Sequence, residues 1–243
     1  MRFRYHQPTP NFYQIENPQE PKTTISDALL QEFQDIAIAS RFAGVSYSKL
    51  SDEFKSEWNI DWDNIVILKY AMSDDILKMD PSKEKCKLMD EEFQEFGIKT
   101  FALADILREY GFKADLINPL DDRVSLRAIA LQSNEAVITR SNMCMFEEGL
   151  NLGFFMITTS IENLPFKSEN SLEWVKDYCS TCGVCIDRCP EKVFDEEGNF
   201  LRKQCTAHRE GCSKCITFCP FYKRGYDKVK NRFDKKQKRL WNE

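Results

Sequence analysis

Cys179-Ser-Thr-Cys182-Gly-Val-Cys185-Ile-Asp-Arg-Cys189-Pro190, followed after a gap holding Cys205 by Cys212-Ser-Lys-Cys215-Ile-Thr-Phe-Cys219-Pro220, decides how the rest of the chain is read. The first run has the spacing C-x2-C-x2-C-x3-C-P. The second repeats it with its first cysteine displaced upstream to Cys205. Eight of the 10 cysteines fall between residues 179 and 219. Two cubane iron–sulfur clusters need eight thiolates between them. Disulfides and structural zinc compete for cysteines so spaced, and a C-x2-C pair alone often means zinc. Two runs, each closed by Cys-Pro, favour the clusters.

The spacing has a physical cause. A four-iron cluster offers four iron corners, each taking one thiolate. Three cysteines two residues apart can wrap a tight loop around three corners. The fourth follows at x3, starts a helical turn and points away; in two-cluster ferredoxins it ligates the other cluster. The expected sets are therefore Cys179, Cys182, Cys185 and Cys219 for one cluster, and Cys189, Cys205, Cys212 and Cys215 for the other. Proline after the fourth cysteine ends the loop and brings no competing N–H. Tyr178, Ile186, Val193, Ile216 and Phe218 are expected to shield the clusters. His208 either donates a hydrogen bond to a cluster sulfur or sits solvated in its loop.

The chain's 243 residues give room for one large domain or two ordinary ones. Its 42% hydrophobic and 30% charged residues allow a sizeable core. No apolar run approaches the roughly 18 residues of a membrane helix. Met-Arg-Phe-Arg-Tyr-His at the start leads into no apolar h-region. The expected location is a reducing cytoplasm, where thiolates persist. With two histidines, histidine-rich metal sites are excluded. Net charge is −5 but uneven: residues 222–243 carry nine Lys or Arg against three Asp or Glu. That basic tail is read as a solvated C-terminal helix, with nucleic acid or an acidic redox partner as the functional alternatives.

Four segments are expected: an extended proline-bearing arm over 1–22, an α/β domain over 23–170, the two-cluster module over 171–225, and a basic helix or tail over 226–243. Leu29, Leu30, Phe33, Ile36 and Ala37 recur at helical spacing, predicting a helix to about Phe42. Gly44–Leu50 alternates as a strand, and the β-branched run Asn64–Met72 predicts a buried one. Asp80-Pro-Ser caps a long helix through Tyr110, kinked at Gly97 and ended by Gly111. Lys113–Ile117, Ala136–Thr139 and Gly153–Thr159 read as strands and Ser125–Gln132 as a helix. The whole predicts one mixed sheet with helices.

Three stretches add to the cysteine runs: Ala102-Leu-Ala-Asp-Ile-Leu-Arg-Glu-Tyr-Gly-Phe-Lys-Ala-Asp115, Ser125-Leu-Arg-Ala-Ile-Ala130, and Phe154-Phe-Met-Ile-Thr-Thr-Ser-Ile-Glu-Asn-Leu-Pro165. In their order, with Cys205 displaced, the chain resembles the epoxyqueuosine reductase and reductive dehalogenase superfamily over roughly residues 25 to 228. The resemblance implies an α+β fold: a nitroreductase-like α/β sandwich followed by a bacterial-type 2[4Fe-4S] ferredoxin module. It implies cobalamin beside two [4Fe-4S] clusters, and an electron donor such as a ferredoxin, a flavodoxin or a reductase. Two features depart from it. Asn134–Arg140 has no glycine where the superfamily carries a Gly-Leu-Gly-x-x-Gly turn, and the nominal position of the catalytic acid falls on Pro119. The expectation is a member without the twin-arginine leader of respiratory dehalogenases and without the helical-repeat domain of epoxyqueuosine reductases.

Candidates outside the module are few. Asp121 and Asp122 could supply a proton if burial raises their pKa, or could be an exposed loop pair. Cys144 lies where relatives face the cofactor and Arg140 could hold an anionic ligand. Cys86 reads as a packing residue. One function in prospect is a redox enzyme that passes electrons through both clusters to a corrinoid or substrate in the N-terminal domain. Another is an electron carrier that binds no corrinoid and docks a redox partner. A third is a nucleic-acid-linked cluster protein using the basic tail.

Overall fold

Asn64-Ile-Val-Ile-Leu-Lys-Tyr-Ala71 is buried at every position but the last, as a β-branched run flanked on both sides by other strands should be. The structure is a computed structural model that describes residues 11–58, 60–119 and 124–240. In chain order the elements are α1 (Asp27–Ala39), β1 (Gly44–Lys49), α2 (Asp52–Trp58), β2 (Asn64–Ala71), α3 (Asp74–Lys78), α4 (Lys83–Glu109), β3 (Ala114–Leu116), α5 (Leu126–Gln132), β4 (Val137–Ile138), β5 (Cys144–Met145) and β6 (Leu152–Thr159). Then come α6 (Trp174–Cys182), α7 (Val184–Asp187), a 3-10 turn (Arg202–Gln204), α8 (Ala207–Glu210), α9 (Lys214–Thr217), α10 (Pro220–Arg224) and α11 (Tyr226–Leu240).

Four strands form a sheet in the order β1-β2-β6-β3. β1 runs antiparallel to β2, with Gly44 opposite Lys69, and β3 antiparallel to β6, with Ala114 opposite Thr159. The expectation of one sheet fails at 136–139. β4 leaves that sheet and pairs with β5 in a separate two-stranded ribbon. The cause is local: Asn142 adopts a φ of 62°, which lets Thr139 and Met143 close a hairpin through Thr139 N–H to the Met143 carbonyl at 3.0 Å. α2, α3 and β5 were not expected from the sequence. α4 runs unbroken through Gly97 for its 27 residues.

Among the described residues the chain divides into two compact units that do not follow its linear order. The first takes residues up to Tyr70, Gln94–Ser133 and Phe154–Ser168; the second takes Ala71–Phe93, Asn134–Gly153 and residues from Glu169 on.

Within the first unit, Phe96 of α4 stacks on Tyr70 at 4.2 Å between ring centroids and meets Phe42 edge-on at 5.2 Å. α4 ends as the sequence foretold. Gly111 takes a φ of 91°, its N–H reaches the Arg108 carbonyl, and Phe112 N–H reaches Leu107, the paired bonds of a Schellman cap. β3 is the sheet's edge, and residues 13–17 cover it. Tyr13 hydroxyl accepts the Leu116 N–H at 2.6 Å and Asn17 Oδ1 the Ala114 N–H at 2.9 Å. This spends donors that an edge strand would otherwise offer to another chain. Buried Arg108 locks the strap, donating to the Ile15 and Ala114 carbonyls and to Asp115.

Candidate metal centre

In the second unit the cysteine runs fold as a series of very short helices broken by left-handed residues. α6 carries Cys179 and Cys182 in its final turn and stops at Gly183, whose φ of 66° no β-carbon-bearing residue adopts cheaply. Cys185 follows in α7. Gly211, at φ 64°, ends α8 and sets Cys212 ahead of α9, which carries Cys215. Cys219 is the N-cap of α10, with Pro220 in the first helical turn, where its missing N–H costs nothing. The first cysteine pair thus sits on a helix end, not in the loop the spacing suggested.

All ten cysteines are thiols. Cys179, Cys182, Cys185 and Cys219 line one cavity, closed by Tyr178, Pro220 and Phe221. Around Cys215 stand Cys212, Cys205, Cys185 and Cys189, near enough that each would oppose its ionisation. Burial is the larger cause, and together they push the Cys215 thiol up to about 12. Burial also pushes Cys219 up to about 12, against the backbone N–H groups of Phe221 and Tyr222 that point at its sulfur. Cys179 and Cys185 are raised, again chiefly by burial, although the Arg140 backbone N–H donates to Cys179 and the Ile186 N–H to Cys185. Packed thiols with donors aimed at them cannot ionise together unless a cation shares the site. Iron would supply that charge, and sulfur is its preferred donor in clusters. The donor set therefore fits. Among the described residues, no three His, Cys, Asp or Glu side chains are grouped as one metal ion would need; a cubane instead gives each thiolate its own iron.

Aromatic packing seals the first thiol set. Trp174, Tyr178, Phe221 and Phe233 meet with centroids 5.1–6.2 Å apart in successive pairs. Beneath them lies an apolar cluster of Val137, Met145, Leu150, Leu172, Val175, Phe221 and Val229. Val193 and Ile216 are buried; Tyr178, Ile186 and Phe218 are half-buried.

Arg140 belongs to this neighbourhood. Its guanidinium donates to the Ser180 carbonyl at 3.1 Å and the Glu197 carbonyl at 3.4 Å. It lies flat on Gly198, where a β-carbon would stand 2.3 Å from Nη2. Cys144 is buried in β5 opposite Ile138. Cys86 receives the Gly211 N–H, and burial raises its pKa. Asp121 and Asp122 lie outside the described residues, and of His208 only the backbone, in α8, is described. Asn134 takes a left-handed φ of 58°.

One residue near the thiols was not foreseen. Lys85 of α4 is fully buried, and its ammonium spends its three protons on the Leu77 carbonyl (3.0 Å), the Met79 carbonyl (2.9 Å) and Ser213 Oγ (2.6 Å). Ser213 passes its own proton to Leu77 at 2.7 Å. The loop beside Cys212 is thereby tied to 77–79. The signal available was Lys85's spacing from Met89, one helical turn on, but lysine is rarely assigned to a buried face.

No family model matches the chain. It is 22% identical over 185 residues to a tetrachloroethene reductive dehalogenase of Sulfurospirillum multivorans, covering 66% of this chain and 36% of that protein. Among solved structures it resembles a reductive dehalogenase described for B12-dependent dehalogenation, with a TM-score of 0.68, 13% identity, and 92% of this chain matched to 36% of that one. Epoxyqueuosine reductase from Bacillus subtilis matches with a TM-score of 0.53 and 15% identity, over 82% of this chain and 66% of that one. The chain thus spans about a third of the dehalogenases. These likenesses show a fold shared with reductive dehalogenases and epoxyqueuosine reductases.

Proposed function

We propose that a chain with this fold is an iron–sulfur redox protein of reductase type. Cys179, Cys182, Cys185 and Cys219 hold one [4Fe-4S] cluster; Cys189, Cys205, Cys212 and Cys215 hold the other. Electrons pass through them toward a cofactor or substrate served by the N-terminal α/β region. One observation carries the reading: Cys219, from the second run, lines the cavity of the first three cysteines. That is the interlacing which the two-cluster pattern requires.

Bound clusters supply one-electron transfer. The chain's residues do the rest. Tyr178 and Phe221 close the cavity against water. The N–H groups of Arg140, Ile186, Phe221 and Tyr222 donate to sulfur and favour the ionised, metal-binding form. Asp121 and Asp122 remain the proton-donor candidates. The B12-dependent neighbour supports cobalamin as the acceptor cofactor. The residues of 134–140 do not fit it as relatives' do, since side chains stand where glycines would let backbone approach the ring. That same departure favours a second reading, an electron carrier that docks a redox partner and binds no corrinoid.

Anaerobic reconstitution followed by iron, sulfide and cobalamin titration tests both. The proposal requires about eight irons per chain; four irons, or stoichiometric zinc, overturn it. Stoichiometric cobalamin uptake with a changed cobalt spectrum selects the reductase, and no uptake at high cobalamin selects the carrier.

A further inference from the structure

We infer that the surface over Phe218 is the electron-entry face of the second unit, shaped for an acidic flavin-carrying donor protein. The inference rests on the cluster reading above. Phe218 directly precedes Cys219 and is half-buried. With Val184, which directly precedes Cys185, and Pro220, it lines a groove whose other walls are Asp187, Arg188, Lys223 and Arg224. Arg188 and Lys223 both lie over the Phe218 ring, at 5.8 and 4.9 Å from its centroid. Arg188, Lys223, Arg224 and Asp187 are all exposed, so the rim holds three cations against one carboxylate.

The position matters as much as the charge. Val184 and Phe218 border ligands of the first set, and Arg188 borders Cys189 of the second. An apolar centre inside a cationic rim is the anatomy of a transient protein interface. The rim supplies steering and orientation; the centre supplies dry contact. A flavodoxin-type donor presents the complement: the apolar edge of a reduced flavin within an acidic surface. Nucleic acid is the poorer fit, because Asp187 stands in the groove and a phosphate backbone has no apolar edge to set on Phe218, Val184 and Pro220. The transfer itself makes and breaks no bond. One electron leaves the carrier's reduced flavin and one cluster gains it.

The test uses the full chain reconstituted with iron and sulfide, mixed anaerobically by stopped flow with a reduced, net-negative flavodoxin. The variant is Arg188→Glu/Lys223→Glu/Arg224→Glu. At low salt the wild-type second-order rate should exceed the variant's by at least about tenfold. The gap should close as ionic strength rises. Reduction by dithionite should be equal in both, which shows that the variant is folded and loaded. Equal flavodoxin rates, or a wild-type rate indifferent to salt, overturn the docking face alone. So does reduction only by a ferredoxin, or RNA binding lost in the variant while flavodoxin reduction persists. Failure of the wild type to load iron or to be bleached by dithionite overturns the cluster reading, and this inference with it.

Discussion

The two compact units are stabilised in different ways. In the first, β2 is buried almost throughout, Phe33, Ile65, Ile67, Phe96 and Phe155 are at most 1–2% exposed, and the sheet edge is capped by Tyr13 and Asn17. In the second, α7, α8 and α9 have four residues each and α10 five. Isolated helices shorter than about 12 residues do not hold in water. Their apolar partner is one small cluster around Val137, Met145 and Val175. Beside that cluster stand the half-buried thiols of the cysteine runs. The first unit is completed by its own side chains; on the proposed reading the second would be completed by its clusters.

The sharpest way to break that contrast is to strip the proposed clusters from the reconstituted protein. Iron chelation under reducing conditions should abolish amide protection across residues 174–224, while β2 and β6 keep theirs. Hydrogen exchange followed by mass spectrometry reads both at once. Equal protection in the loaded and stripped protein would show that the short helices need no cluster. A smaller loss is expected for Lys85→Met. It leaves the Met79 carbonyl without its Lys85 donor and unties Ser213, costing about 1–3 kcal/mol for a buried group left unsatisfied. Denaturant unfolding should place that loss in the transition of the second unit.

What the sequence made legible follows the same line. β2, β6 and α4 could be read because each is long enough to show a period or an apolar run, and Ser82 and Gly111 mark the ends of α4: Ser82 Oγ accepts the Lys85 N–H at 3.0 Å. β4 and β5 have two residues each, too few for any period, and the turn between them is made by an asparagine that looks like any polar residue. In the candidate site the cysteine runs declare themselves by spacing. Their surroundings do so less: Arg140 stands out in the sequence as a cation able to hold an anion but not as a neighbour of Cys179, and Lys85 is a cation that a sequence reading leaves in solvent.

The first unit should also answer to a gain. Gly97 lies inside α4, and a β-carbon there would stand 3.5 Å from the Phe155 ring, an ordinary contact. Its φ lies outside the left-handed region. Gly97→Ala should therefore stabilise the first unit by about 1 kcal/mol through helix propensity alone, with no change in iron content. A destabilised variant would mean that the approach of α4 to β6 is tighter than that contact.

The smallest expected effect lies in the second unit, where Tyr222 of α10 donates to Asp74 of α3 at 2.7 Å and Lys78 donates to the same carboxylate at 2.8 Å. The Asp74 carboxyl is held below its ordinary 3.8 by Lys78 first and Tyr222 second. Tyr222 is pushed up from 10.0 to about 12 by burial, then by its hydrogen bond to Asp74 and last by the Asp74 charge. The signs follow. A carboxyl lowered on folding contributes above its unfolded pKa and stops contributing as pH falls through the folded value; a phenol raised on folding contributes below 10 and stops as pH climbs toward 12. The link is therefore fully present from about pH 4 to 10. Tyr222→Phe should cost about 0.5 kcal/mol in that window after solvent screening, and thermal midpoints of the two proteins should converge between pH 10 and 12. A gap that stays constant through pH 12 would assign the loss to packing of the hydroxyl rather than to its bond with Asp74. The contact between α3 and α10 would then owe nothing to charge.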